Sequence, residues 1–386
     1  MSRSVVVVVF AAVLGAGAAC GADPAVVAQE SSGAPAESSS GPMPDSTSSG
    51  TGSTGGGEST SGTAPGTTGT SSSDEGEATH QPYFDVGQQP DLPPDDSTTG
   101  EPIDWDCDEL VQPFESETEL VGPRGYHDVY FNEDGQIIGW DGNSLVASTY
   151  EGEVSVFLPG VNSAQGMDVL ENWDLLYVND YGEMRMVTPD LVQTTVSTAV
   201  SGAYGITVGP DQLAYVSTYQ GIIRIDPDTG EYETWLAMPG VNPRAMVFNL
   251  DSSGVYVSTL NGGSSSVYYQ SVDNDLDPVE DEPFVVFANN VGQGYHDGLG
   301  IDACGNLYVP DYNTRGLYRV DPEGVVTTLF NQDTASAAHY GHGLKWGSGI
   351  DGWNDKAIYL PQPYDGNTVL EIVLGVPSGS RVRTWN

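Results

Sequence analysis

Positive charge is scarce in this chain of 386 residues: 11 Lys and Arg stand against 54 Asp and Glu, a formal net charge of −43. There is no basic footprint for nucleic acid or for anionic lipid headgroups, so neither is expected as a partner. Cysteine is nearly absent, with 3 residues. That excludes a disulfide-dense mini-scaffold and any zinc site built on a cysteine cluster. No aromatic residue occurs between Ala11 and Pro82. No apolar run reaches the roughly 20 residues that span a bilayer. Phosphate loops and G-x-S-x-G serine elbows are missing from the region after residue 100. What is abundant is glycine, 49 residues, with 38% apolar and 9% aromatic content. That composition fits a turn-rich β protein joined to an unfolded segment.

The first hundred residues read as address and tether. Arg3 precedes a near-continuous apolar run from Val5 to Leu14, and Gly15-Ala16-Gly17-Ala18-Ala19 leads to Cys20. A charged start, about ten apolar residues and a small-residue site make a secretory leader. Gly17-Ala18-Ala19-Cys20 resembles a bacterial lipoprotein cleavage site, which implies that Cys20 becomes the lipidated first residue. Gly17 stands where that family usually has Leu. Simple secretion, with cleavage after Ala16-Gly17-Ala18, is the alternative. The expectation is an extracytoplasmic lipoprotein at the outer membrane or cell surface, touching the membrane only through its N-terminal anchor. From residue 31 to 80, 38 of 50 residues are Gly, Ser, Thr or Pro. Such a stretch buries too little apolar surface to offset its ordering entropy. The expected division is a signal peptide over 1–19, a disordered tether over 20–100 with a reach of roughly 50 Å, an N-terminal segment packed on the folded part over 101–124, and the folded domain over 125–386.

That domain is one repeat. A strand bearing Tyr-Val recurs at Tyr177-Val178, Tyr215-Val216, Tyr256-Val257 and Tyr308-Val309, with Tyr359-Leu360 and Ile138-Gly139 completing six. A short apolar segment and a turn precede each. A third strand ending in Asp-Pro follows in two units, as at Asp226-Pro227 and Asp321-Pro322, and an alternating fourth strand closes the unit. Four short strands per unit of about 40 residues is the signature of a propeller blade. The fold expected is all-β, a six-bladed β-propeller with blades at 125–161, 162–201, 202–241, 242–293, 294–339 and 340–386. Each unit supplies four strands of its own, so no strand exchange is expected at closure. Setting Cys20 aside leaves Cys107 and Cys304. Two leftover thiols in an exported chain usually pair, so a Cys107–Cys304 disulfide is expected; two free thiols are the alternative. Asp273, Asp275 and Asp277 imitate a calcium loop, but Pro278 and Phe284 stand where it needs Gly and Glu, so they read as a solvated acidic insertion. The strong negative charge favours a monomer.

The first strand of each blade lines the central channel. Counting back from the Tyr-Val positions aligns His127, Gly166, Tyr204, Ala245, Asp297 and His342, preceded by Tyr126, Gln165, Ala203, Arg244, His296 and Gly341. Of 5 histidines, three fall at these entrances and His339 lies nearby. His127, Asp297 and His342 come from blades that adjoin once the ring closes. Imidazole and carboxylate together suit a divalent cation or acid–base chemistry near neutral pH; the alternative is a polar wall satisfied by its own hydrogen bonds and water.

The run His296-Asp297-Gly298-Leu299-Gly300-Ile301-Asp302-Ala303-Cys304-Gly305-Asn306-Leu307-Tyr308-Val309 resembles the P-D-G-L-x-x-D-x-x-G-N-L-Y-V blade of SMP-30/gluconolactonase/LRE-like propellers. Ala203-Tyr204-Gly205-Ile206-Thr207-Val208-Gly209-Pro210-Asp211 is similar to NHL and streptogramin-lyase blades. The resemblance implies a channel cation that polarises a lactone carbonyl, with Asp297 among its ligands. This chain departs from the pattern elsewhere: the family's first-blade Glu aligns with His127 or Asp128, and an expected Asn aligns with Ala245, beside Arg244. The assignment that follows has Asp297, His127 and His342 holding a divalent metal (Ca, Zn or Mg) and His296 carrying the proton. Tyr126, Gln165, Tyr204 and Arg244 orient a small lactone or ester. The rival is a non-catalytic module recognising a small molecule or a cell-surface glycan or protein.

Overall fold

The computed structural model describes residues 106–107, 117–120, 125–260, 265–331, 341–364 and 368–380. The leader, Cys20, the tether and His339 lie outside the described residues. Six four-stranded antiparallel sheets make a six-bladed propeller. The strand β1 (Glu117–Leu120) precedes the blades. Blade 1 is β2 (Val129–Phe131), β3 (Ile137–Trp140), β4 (Ser144–Ser148) and β5 (Val154–Pro159). Blade 2 is β6 (Met167–Val169), β7 (Leu175–Val178), β8 (Met184–Val187) and β9 (Gln193–Ser197). Blade 3 is β10 (Ile206–Val208), β11 (Ala214–Thr218), β12 (Gly221–Ile225) and β13 (Tyr232–Ala237). Blade 4 is β14 (Pro243–Phe248), β15 (Gly254–Thr259), β16 (Val267–Ser271) and β17 (Val285–Ala288). Blade 5 is β18 (Gly300–Ile301), β19 (Leu307–Asp311), β20 (Gly316–Val320) and β21 (Val326–Phe330). Blade 6 has β22 (Lys345–Trp346), β23 (Ala357–Gln362) and β24 (Thr368–Val373).

The sixth blade is where the expected organisation fails. Its fourth strand is β1, paired antiparallel with β24 from Glu117↔Ile372 to Leu120↔Val369. The chain after β24 is committed elsewhere. Ala303 donates its N–H to the Pro377 carbonyl and Gly379 donates to Ile301, each at 2.9 Å, so this segment runs along blade 5. The open edge of the last sheet is therefore covered by the chain's early segment, which joins the two ends of the ring.

The repeat residues earn their places by local chemistry. The Oδ1 of Asp226 accepts N–H bonds from Asp228 and Thr229, and that of Asp321 accepts from Glu323 and Val325, which closes both Asp-Pro turns. Three of the recurring tyrosines bury their rings and send the hydroxyl to a carboxylate of their own blade: Tyr215 to Asp211 and Tyr308 to Asp302, both at 2.9 Å, and Tyr359 to Glu371 at 2.7 Å. Asp273 likewise caps its own turn by accepting from Asp275 and Asp277. The core is six apolar layers, each between adjacent blades. One packs Tyr130, Ile138 and Leu145 of blade 1 on Met167, Leu175 and Tyr177 of blade 2. Another packs Leu120, Val129 and Phe131 on Tyr359 and Val369, across the closure. Burial of such side chains is worth roughly 1.5–3 kcal/mol each. Around the channel the blades are stitched by polar bonds. Asp128 accepts the Met167 N–H at 3.0 Å, Asp168 accepts that of Val208 at 2.8 Å, and Gly343 donates to the His127 carbonyl at 2.8 Å. Cys107 and Cys304 are disulfide-bonded, Cα to Cα 5.6 Å, which ties the early segment to blade 5.

Candidate functional site

The strand register defines the inner ring. Tyr130 pairs with Ile138, Thr207 with Tyr215, Val247 with Tyr256, Gly300 with Tyr308 and Lys345 with Tyr359. Three residues before these stand His127, Tyr204, Arg244, Asp297 and His342. In blade 2, Met167 pairs with Tyr177, which puts Ala164 at this level. Two expected positions are thus corrected: Ala164 replaces Gly166, and Arg244 replaces Ala245. The cause is turn length: the paired residues lie eight apart in sequence in blades 1, 3 and 5, but nine apart in blade 4 (Val247 and Tyr256) and ten in blade 2 (Met167 and Tyr177), so a fixed count back from the tyrosine stops one and two residues short.

These five residues meet. The Nδ1 atoms of His127 and His342 are 3.2 Å apart. The Tyr204 hydroxyl lies 2.7 Å from His342 Nδ1. Asp297 approaches the same nitrogen through Oδ2 at 3.5 Å and accepts from Arg244 Nη2 through Oδ1 at 3.1 Å. The Arg244 guanidinium carbon lies 3.3 Å from the Tyr204 ring centre and 5.5 Å from that of Tyr295. Arg244 Nε, Asp297 Oδ2 and His342 Nε2 are buried and find no hydrogen-bond partner among the described residues.

Inward from this layer a narrow cavity of about 40 Å³ runs past Gly205 and Gly343 to Thr207 and Lys345. Glycine is required at 205, because a Cβ there would run into the Arg244 carbonyl oxygen. Gln165 lines this cavity, and its amide donates to Asp180 Oδ1 at 2.7 Å. Asp180 also accepts from the Ser163 hydroxyl at 2.8 Å and so positions Gln165. Outward lies a mouth of aromatic rings. Tyr126 stands 4.6 Å from His127 and 5.1 Å from Trp140, while Tyr312 and Tyr364 stand 5.9 and 6.0 Å from His342. Tyr312 and Tyr364 were missed by sequence reasoning, as were Tyr295 and Lys345. The repeat carried a signal for two of them, four residues after Tyr308 and five after Tyr359. His296, expected as the proton carrier, does not line the cavity. It is fully buried, and Nε2 bonds the Val291 carbonyl at 2.6 Å. Adjacent residues on an extended strand face opposite ways, so the inward turn of Asp297 sends His296 into the wall.

Burial sets the charge states. It holds His342 well below the usual imidazole range, helped by the charges of His127 and Arg244. It lowers His127 to about 4, partly opposed by Asp180. It pushes Asp297 up to about 7 against the pull of Arg244 and the Tyr204 hydrogen bond. Both imidazoles are therefore neutral at neutral pH, and burial makes each a weaker base than a free imidazole.

The expected metal ligands His127, Asp297 and His342 are gathered at one point, yet they do not fit a divalent cation. Among the described residues no group of three His, Cys, Asp or Glu side chains is arranged to hold one. The Arg244 guanidinium already takes Asp297 Oδ1 and fixes a positive charge where the ion would sit, which would repel it strongly in a buried site. Calcium and magnesium also call for several oxygen ligands, and this layer has one carboxylate.

No protein-family profile matches this sequence, and no curated protein matches it. Solved structures do resemble the fold. A gluconolactonase from Xanthomonas campestris is 13% identical with a TM-score of 0.55, over 71% of this chain and 98% of that one. Auxiliary nutrient-binding proteins from Bacteroides thetaiotaomicron and Bacteroides ovatus are 12% and 14% identical, with TM-scores of 0.52 and 0.51. They cover 65% and 68% of this chain and 69% and 76% of their own. The chain shares its six-bladed propeller fold with these proteins.

Proposed function

We propose that the protein is an exported, lipid-anchored propeller that captures a small polar molecule in its central channel. One observation carries this reading: Arg244 Nε, Asp297 Oδ2 and His342 Nε2 are buried polar atoms from three successive blades with no hydrogen-bond partner among the described residues. Each unmet group costs about 1–3 kcal/mol, and a ligand with hydroxyl and carbonyl oxygens supplies the partners. The rings of Tyr126, Tyr312 and Tyr364 offer apolar faces at the mouth. Arg244 is the cation of this layer and Lys345 lines the cavity further in, so capture requires no metal. The leader and Cys20 motif support the address, and the glycine-rich stretch supports a tether that lifts the domain from the membrane. Gluconolactonase and nutrient-binding propellers among the structural neighbours favour a small polyol-like or nutrient ligand over a nucleic acid or protein surface.

A second reading, hydrolysis of a small lactone or ester, is favoured by the 2.7 Å contact between the Tyr204 hydroxyl and His342 Nδ1. A neutral imidazole there takes a proton from a water held beside Tyr204. The water oxygen adds to the acyl carbon, the acyl C–O bond breaks, and the proton passes to the departing alkoxide, leaving an acid and an alcohol.

The test is calorimetric titration of chelator-dialysed protein with sugars, aldonolactones and short esters, alongside pH-stat measurement of acid release. Binding unaffected by chelator and at least tenfold weaker in Arg244→Ala is expected. Acid release lost in His342→Ala supports the hydrolytic reading. A stoichiometric divalent ion that Asp297→Ala removes overturns the metal-free site, and a folded protein that binds no member of the panel overturns the capture reading.

A further inference from the structure

We infer that the captured molecule carries a carboxylate, and that the free edge of the Arg244 guanidinium is its docking point. The inference rests on the channel-capture reading and adds the ligand's chemical class. Arg244 is held as a plate rather than as a mobile charge. Its guanidinium carbon is 3.3 Å from the Tyr204 ring centre and 5.5 Å from that of Tyr295, and its side chain is 10% exposed. One terminal nitrogen, Nη2, is spent on Asp297 Oδ1 at 3.1 Å. Nε is buried without a partner, and the residue lines the cavity. A guanidinium offers five N–H donors in a fixed plane; Nε–H is unspent and Nη2, on the same edge, has a second hydrogen beyond the one given to Asp297, so this edge over the Tyr204 ring matches a planar, two-oxygen acceptor. A tetrahedral phosphate would need further donors, and no second arginine lies in this layer among the described residues.

The charges around the plate point the same way. Burial pushes Asp297 towards its neutral form, so the carboxyl does not fully cancel Arg244. Asp297 Oδ2 lies 3.5 Å from His342 Nδ1 and makes no hydrogen bond among the described residues, so a protonated Asp297 can donate through it to an incoming oxygen. His127 and His342 are neutral at pH 7 and bring no competing anion. The chain as a whole is acidic, at −43. A small carboxylate is therefore drawn to this point by local contacts rather than by the protein's field.

The test pairs each carboxylate with its neutral amide of the same shape: acetate with acetamide, lactate with lactamide, gluconate with gluconamide. Binding is read by NMR shifts of the His127 and His342 imidazole signals. Carboxylates are expected to bind at least tenfold tighter than their amides. Arg244→Gln should remove that preference, and Arg244→Lys, which keeps the charge but not the plate, should restore only part of it. Thermal unfolding of both variants checks that they fold. Amides binding as well as carboxylates, or a preference that survives Arg244→Gln, overturns the inference while leaving channel capture standing. No binding by either series, or by the neutral sugars and lactones, overturns both. Phosphate binding tighter than any carboxylate also overturns the assignment of ligand class.

Discussion

Removal of the Cys107–Cys304 disulfide should weaken the domain chiefly through the unfolded chain. The bond links residues 197 apart in sequence. A cross-link of that span removes about 5 kcal/mol of chain entropy from the unfolded ensemble, and measured losses usually run about 2–4 kcal/mol. The structure adds a local term of the same sign. Cys107 lies ten residues before β1, the strand that completes blade 6. With the bond intact, β1 stays close to β24 even when their pairing opens. The double variant Cys107→Ser, Cys304→Ser is therefore expected to lose about 3–5 kcal/mol against the oxidised wild type.

Equilibrium urea unfolding, followed by tryptophan fluorescence with and without reductant, measures this. The midpoint should fall and the slope should rise, because a chain freed of the cross-link exposes more surface when unfolded. Reductant should do nothing further to the double variant. A midpoint unmoved by reduction, in protein whose thiol titration proves the bond was formed and then broken, refutes the reasoning. A lower midpoint with an unchanged slope would also count against it, by placing the effect in the native state alone.

Three further outcomes are expected. Leu120→Ala, which truncates a buried β1 side chain in the apolar layer between blades 6 and 1, should cost about 2–4 kcal/mol. Hydrogen exchange should then rise in β24 as well as in β1; a rise confined to 117–120 would contradict closure by β1. Gly205→Ala puts a Cβ against the Arg244 carbonyl oxygen and should cost about 1–3 kcal/mol; an unchanged melting temperature would show that the channel strands have room to spare. Asp297 is raised to about 7 in the fold from an ordinary 3.8, so the folded state holds its proton between those values while the unfolded state releases it. Stability from this group is thus complete below pH 4 and lost as pH rises through 7. Relative to Asp297→Asn, the wild type should lose up to about 4 kcal/mol over that window, and parallel urea titrations at several pH values would expose a flat difference.

The parts of the molecule that repeat were legible, and those that break the repeat were not. Six strands could be counted because four carry Tyr-Val and a fifth Tyr359-Leu360, with Ile138-Gly139 placed by spacing, and because a buried ring whose hydroxyl reaches a carboxylate recurs, as Tyr215–Asp211 and Tyr308–Asp302 show. The closing strand carries no such mark: Glu117-Thr118-Glu119-Leu120 has neither the aromatic nor the turn that flags a blade. A clue lay at the other end, where Gly375, Pro377 and Gly379 interrupt the stretch that would have had to supply a fourth strand. The inner ring was legible in four blades through His127, Tyr204, Asp297 and His342. It slipped in blades 2 and 4 because their first turns are two and one residues longer than those of blades 1, 3 and 5, so a fixed count back from the tyrosine misses the ring position. The assignment of His296 failed because its ring is taken up by the wall, where Nε2 bonds the Val291 carbonyl, a contact that no spacing in the repeat signals.

The polar layer itself is the strongest reason to look for a ligand. Two residues further along the same strands the channel is lined by Ile206, Met246, Leu299 and Leu344. The fold therefore accepts apolar side chains on its axis, and nothing in the closure of the ring demands Arg244 or Asp297. Replacing a buried ion pair by apolar residues of similar volume is often neutral or stabilising by about 1–4 kcal/mol, because desolvation outweighs the attraction. The double variant Arg244→Met, Asp297→Leu should accordingly melt no lower than wild type, and it should no longer distinguish a carboxylate from its amide. If instead it loses more than about 2 kcal/mol, the pair holds the ring together, and the unpartnered atoms around it are the residue of a structural compromise rather than a binding site.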